Sequence, residues 1–169
     1  TPHKIEKYIN IAGLGKQKSN AIYELLQSLK KKEKSVSLDY IKTKNDKDIL
    51  DELTSYNGVG VKTASCVLLF SLGRNVCPVD THVHRTINRI GLVKTNNPEK
   101  TFYQIVDYIP EGTAHSFHTN LIRLGREICK STNPVCSICP LKKICKFELK
   151  DFNEKKPYKK LDFMLLDNL

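Results

Sequence analysis

The sequence predicts an all-α protein. Three observations carry that prediction. Apolar residues recur at helical spacing through most of the chain. No stretch of useful length alternates apolar and polar residues as a half-buried strand would. The apolar stripes are separated by breaks rich in glycine, asparagine and proline, which punctuate helices. At 169 residues, 40% of them hydrophobic, the chain suits one domain or two small lobes. No apolar run approaches the ~18 residues that suggest a membrane helix, and no secretory apolar region follows the start. The first residue is Thr1 rather than Met, which suits a processed chain or a piece of something longer.

Taken in order, Ala21, Ile22, Leu25, Leu26 and Leu29 define a first stripe, preceded by Gly13 and Gly15 and followed by the run Lys30-Lys31-Lys32. Ile49, Leu50, Leu53 and Tyr56 form the next, with Asp48 as its expected N-cap. Asn57-Gly58-Val59-Gly60 is a tight turn. Val61, Ala64, Val67, Leu68 and Leu72 follow as a further stripe, broken by residues 75–79. Asp80 is placed to cap a helix carrying Val83, Ile87 and Ile90, which should end at Gly91. Residues 99–109 and 114–129 read as two more helices. Pro134 and Pro140 punctuate a coiled loop, 153–160 reads as a linker, and Leu161 to Leu169 regain apolar character.

Formal net charge is +10, and its distribution matters. Residues 1–48 carry 11 Lys and Arg against 6 acids, residues 123–160 carry 11 against 4, and the middle balances at 6 against 6. Basic flanks can neutralise phosphates and release their counterions, which points to nucleic acid. Solvated, solubilising helix faces would leave the same trace.

Four of the six cysteines cluster as Cys129-x6-Cys136-x2-Cys139-x5-Cys145. Four thiolates so close in sequence can converge on one soft metal centre, either Zn²⁺ or an iron–sulfur cluster. The spacing differs from the usual ferredoxin runs. A disulfide framework is not the reading, since nothing suggests secretion. Cys66 lies in an apolar helical stretch and reads as a small core residue. His82 and His84 point to different helix faces and are not read as a metal pair. His115 and His118 could share a face, but nothing else gathers there. Arg85 and Arg89 could brace a helix or reach a phosphate.

The segment Leu53 to Leu72 is helix, glycine hairpin, helix. Gly58 and Gly60 permit a tight turn and close approach to a ligand, and the next helix starts near Val61 with its free N–H groups able to hold a phosphate. Such a contact reads DNA backbone rather than sequence. Lys62 sits in the first turn of that helix, and Asp80 follows 18 residues later. Read alone, Lys62 is an ordinary phosphate-contacting lysine and Asp80 an N-cap. Gly58-Val59-Gly60-Val61-Lys62-Thr63-Ala64, Val79-Asp80-Thr81-His82 and the four cysteines, at these separations, together resemble the endonuclease III branch of the helix-hairpin-helix DNA glycosylases. The match runs from roughly residue 8 to 150.

The resemblance implies the helix-hairpin-helix glycosylase fold. Its barrel-like lobe would be 1–113 with the hairpin at about 48–72, its cluster lobe 114–150, and 151–169 a C-terminal extension. It implies that Lys62 is the nucleophile, attacking C1′ of a flipped nucleotide to form a Schiff base, and that β-elimination then nicks the strand. An amine attacks only when unprotonated, and lysine's reference pKa is ~10.4, so a helix N-terminus and burial should both favour the neutral form. Asp80 is implied as the carboxylate that stabilises the developing sugar cation and assists proton transfer.

Cys129, Cys136, Cys139 and Cys145 are implied to hold a [4Fe–4S] cluster, with Zn²⁺ as the alternative, folding a loop whose Lys130, Lys142, Lys143 and Lys146 contact DNA. Gly58, Val59, Gly60 and Lys62 would grip the backbone. The expected partner is double-stranded DNA with a damaged base or an abasic site. No membrane partner is expected, and the compartment is an intracellular, DNA-containing one (prokaryotic cytoplasm, nucleus or mitochondrion). The base removed is expected to be an oxidised pyrimidine. Thymine or uracil opposite guanine, 5-methylcytosine, or a non-catalytic DNA-binding role are the alternatives. Two departures stand out. The turn has Asn57 where the family often has proline. The family also has a further N-terminal segment, bearing a gap-filling glutamine, before the point matched by residue 1. The chain is expected to be a monomer unless a second chain supplies that segment.

Overall fold

The computed structural model describes residues 1–12, 15–34, 36–150 and 152. Among them every regular element is helical, as the spacing of apolar residues predicts. The expected features at Gly13 and across residues 153–169 lie outside the described residues. The chain divides into two compact units, 1–74 and 75–169.

In the first unit, α1 (Pro2–Ile9) packs on α2 (Gly15–Glu33). Pro2 at the first helical position has no N–H to leave unpaired. Helix α3 (Asp46–Thr54) packs on α4 (Val61–Cys66), which runs on into a π turn, Val67–Ser71. The α3 cap is Asn45, not Asp48: the Asn45 side chain accepts the Asp48 N–H at 2.9 Å, and Asp48 instead places its charge in the first turn, where the helix dipole favours it. Ile41, Ile49, Leu50, Leu53, Ala64, Leu68 and Leu69 form the core. The α2 stripe buries only in part. Leu29 is inside, whereas Ile22 and Leu26 are exposed. Cys66 is half-buried rather than a core residue. One polar cluster is stitched into this unit. Glu52 accepts from Lys44 Nζ at 2.6 Å and from the Tyr40 hydroxyl at 2.5 Å. Burial first, then that carboxylate, drives the Tyr40 phenol far above its ordinary pKa.

In the second unit, α5 (Thr81–Ile90) packs on α6 (Pro98–Ile105) and on α7 (Ala114–Glu127). The stretch expected as helix 99–109 is shorter, and finishes as a 3₁₀ turn at Val106–Tyr108. Val76, Cys77, Val79, Val83, Ile87, Phe102, Ala114 and Leu121 are buried. Gly91 ends α5 in the left-handed region at φ 89°, and the Lys146 side chain lies against it, so a side chain there would meet both strain and a clash. Gly125 lets α7 approach α5: a Cβ at this position would sit 2.9 Å from the His82 Cβ. Buried His118 bonds the Pro78 carbonyl through Nδ1 at 2.8 Å, and His84 Nδ1 lies 2.6 Å from the Thr101 hydroxyl. Burial lowers the His84 pKa. Both histidines are structural.

Candidate functional site

The hairpin between α3 and α4 is docked on α2. Gly58 has φ 79°, and a Cβ on it would lie 2.6 Å from the Cβ of Ala21. Glycine is therefore required twice over, by conformation and by contact. The Asn57 side chain donates to Glu24 Oε2 at 2.8 Å. That clasp stands where the family often has proline. Gly60 differs from Gly58. Its backbone is extended at φ −93° and ψ 174°, and among the described residues a Cβ there would meet nothing within 4 Å.

Gly60 caps α4, and its carbonyl accepts the Ala64 N–H at 3.0 Å. Lys62 thus sits in the first turn, beside the unpaired N–H groups of the helix start. The side chain is exposed, so the burial expected for it is not found.

In the second unit, Asp80 caps α5. Its Oδ1 accepts the N–H groups of His82 at 2.9 Å and Val83 at 2.8 Å. Among the described residues no hydrogen bond to Oδ2 is found. Cap and reagent are compatible, because one oxygen fixes the carboxylate and the other is left to act. The residue is half-buried.

The four cysteines are brought together. Cys129, Cys136, Cys139 and Cys145 line one cavity, with Arg89, Lys142, Lys150 and Phe147. The loop is coiled apart from one 3₁₀ turn, Cys136–Ile138. Burial raises the Cys139 thiol pKa, and the other three thiols push it the same way. All four are half-buried.

What holds the loop in place is α5. Arg85 Nε donates to the Cys129 carbonyl at 2.9 Å and its Nη2 to the Gly125 carbonyl at 2.7 Å. Arg89 donates to the carbonyls of Lys130 at 2.6 Å and Ser131 at 2.9 Å, approaches the Cys129 sulfur at 3.6 Å, and stacks on Phe147. The Cys145 thiol donates to the Arg89 carbonyl at 3.2 Å. Sequence reasoning missed this pairing of Arg85 and Arg89 with the loop. Their i, i+4 spacing was the available signal, but it does not say what the shared face meets.

These residues fit a thiolate-bound metal group. The donors are soft sulfur, they share a cavity, and cationic side chains border it, as an anionic thiolate centre needs. Among the described residues no three His, Cys, Asp or Glu converge closely enough to hold a single ion.

A glycine hairpin opening a lysine-bearing helix, a capping aspartate and a cysteine-lined loop define a helix-hairpin-helix DNA glycosylase fold. A model of the HhH-GPD superfamily of base excision DNA repair proteins matches residues 1–111, and the chain belongs to that family. It is 36% identical over 146 residues to endonuclease III of Thermotoga maritima, covering 86% of this chain and 64% of that protein. It is 37% identical over 155 residues to endonuclease III of Rickettsia conorii, covering 87% and 70%. Among solved structures it resembles a trapped endonuclease III–DNA covalent intermediate, with a TM-score of 0.71 and 28% identity over 86% of this chain and 65% of that one. A thermostable thymine-DNA glycosylase is similar at TM-score 0.68 and 25% identity, over 87% and 65%. The chain thus spans just under two thirds of several of the proteins it matches. Among the described residues no helix is long and apolar enough to cross a membrane.

Proposed function

We propose that this chain carries the catalytic and DNA-gripping elements of a base-excision glycosylase with abasic-site lyase activity. The observation that carries the reading is Lys62 in the first turn of the helix that Gly60 caps. The likeness at TM-score 0.71 to a trapped endonuclease III–DNA covalent intermediate supports a covalent route. In the proposed reaction the neutral Lys62 Nζ donates its electron pair to C1′ of a flipped nucleotide. The C1′–N bond breaks, its electrons leave with the base, and the base takes up a proton. Loss of an amine proton and ring opening give the C1′ iminium. Removal of a C2′ proton then expels the 3′ phosphate with the C3′–O electrons, and the strand is nicked. Asp80 Oδ2 would stabilise the sugar cation and relay protons.

Gly58, Val59 and Gly60 would meet the phosphates, with Lys130 and Lys142 on the cysteine loop adding charge. Functionally the division would run 1–113 and 114–150, and the protein would act as a monomer in an intracellular, DNA-containing compartment. Cys129, Cys136, Cys139 and Cys145 would hold the [4Fe–4S] cluster. When bound, it supplies structure to the loop rather than hydrolytic or lyase chemistry. Lys142 would face both the cluster and the DNA.

An oxidised pyrimidine in duplex DNA is the proposed substrate. The likeness to a thymine-DNA glycosylase favours a mispaired thymine or uracil as the second reading. The test is borohydride trapping by the full-length protein on a duplex with one abasic site. The wild type should be trapped and Lys62→Gln should not, although the variant still binds. Equal strand scission by both would remove the proposal and leave a DNA-gripping domain. A panel of damaged duplexes then ranks the bases. A brown holoprotein absorbing near ~400 nm separates iron from zinc.

A further inference from the structure

Arg89, in the last turn of α5, takes no part in the chemistry proposed for Lys62 and Asp80. It holds both ends of the cysteine loop. Its guanidinium takes the first end: Nη1 donates to the Cys129 sulfur at 3.6 Å and to the Lys130 carbonyl at 2.6 Å, and Nη2 donates to the Ser131 carbonyl at 2.9 Å. Its backbone takes the last end: the Arg89 carbonyl accepts the Lys146 N–H at 3.1 Å and the Cys145 thiol at 3.2 Å. The Phe147 ring lies 4.2 Å from the guanidinium and steadies its plane. Arg89 also lines the cavity that the four cysteines share.

The two carbonyls and the ring explain how the guanidinium is oriented. They do not explain why one of its N–H groups meets a cysteine sulfur. A cationic donor gains most from such a contact when the sulfur is a thiolate. The guanidinium carries a fixed, weakly hydrated charge. It is half-buried, so water screens the attraction less than it would in the open. Lys142 and Lys150 line the same cavity, but Lys142 sends its Nζ to the Ser137 carbonyl at 2.9 Å. The potential of a thiolate-bound iron–sulfur centre depends on its net charge and on hydrogen bonds to its sulfurs. Reduction adds negative charge. A cation bonded to a ligand sulfur therefore favours the reduced state, and removing that cation lowers the potential.

We propose that Arg89, through its contact with the Cys129 sulfur, is a positioning residue that sets the reduction potential of the centre held by the four cysteines. The proposal rests on the [4Fe–4S] reading of those cysteines and adds a residue to it. Protein-film voltammetry on the holoprotein compares the wild type with Arg89→Gln, Arg89→Lys and Lys142→Gln. Arg89→Gln should shift the balance toward the oxidised state at least ~10-fold, a fall of about 59 mV for a one-electron couple. Arg89→Lys keeps the charge and should fall less. Lys142→Gln removes the same charge from the cavity wall, where its Nζ is bonded to the Ser137 carbonyl, and should also fall less. Where Arg89→Gln purifies colourless, a brown Arg89→Lys with a potential near wild type is the expected companion, because the charge is then what the thiolates require. An Arg89→Gln potential equal to wild type overturns the proposal and leaves Arg89 a brace for the backbone. An equal fall in Lys142→Gln also overturns it, by assigning the effect to net charge. So does an Arg89→Lys that falls as far, or is as empty, as Arg89→Gln. A colourless wild type is a different failure: it removes the iron–sulfur reading, and this proposal with it, while trapping through Lys62 is judged separately.

Discussion

At the scale of single residues, Asp80 and His84 make separable predictions. Asp80 does two things with two oxygens: Oδ1 caps α5 and the charge serves the proposed chemistry. Asparagine caps about as well as aspartate but carries no charge. Asp80→Asn should therefore leave the melting temperature close to wild type while strand scission falls on the order of 10²-fold or more. A variant that melts normally and cuts normally would reduce Asp80 to a cap. His84 concerns stability instead. Its folded pKa is depressed by burial, so the unfolded chain binds the proton more tightly. Its stabilising contribution is then fully present above the unfolded pKa of about 6.5 and is lost as pH falls through the lower folded value. Melting curves across that window should decline toward acid, and His84→Gln should flatten the decline.

At the scale of elements, the two hairpin glycines separate fold from function. Gly58→Ala forces a side chain into the left-handed region, at about 1–2 kcal/mol, and against Ala21. Thermal denaturation should register the loss. Gly60→Ala meets neither obstacle among the described residues, so it should melt like wild type yet bind duplex DNA more weakly, because a methyl group would then stand where phosphate is proposed to approach. Unchanged affinity would place the DNA elsewhere. This distinction was not legible in the sequence, where both glycines read as one turn. What was legible follows from local physics: stripes at helical spacing, a capping aspartate, a left-handed glycine at the end of α5. Asp48 was misread because Asn45, three residues earlier, offers an equally good cap and the sequence ranks them alike. The Asn57–Glu24 clasp and the Arg85 and Arg89 staples join residues tens of positions apart, and no spacing rule reports such pairs.

At the scale of the whole molecule, charge rather than shape is what the sequence discloses about a partner, and charge can be titrated with salt. Phosphate contacts release counterions, so log K falls linearly with log salt, with a slope near −0.9 per phosphate neutralised on duplex DNA. The formal charge of +10 sets no slope by itself, since solvated lysines release nothing. Lys130 and Lys142 are the informative pair, because both belong to the cysteine loop that Arg85 and Arg89 hold against α5. Lys142 Nζ donates to the Ser137 carbonyl at 2.9 Å within that loop, which steadies the cation without neutralising it. Replacing both lysines by alanine should shrink the magnitude of the slope by about 2 and weaken binding alike on damaged and undamaged duplexes, since backbone contacts carry no base information. Affinity measured from low to moderate salt on the two duplexes checks both statements. A loss confined to the damaged duplex would move these lysines from the backbone to the lesion, and an unchanged slope would mean that the loop does not touch DNA.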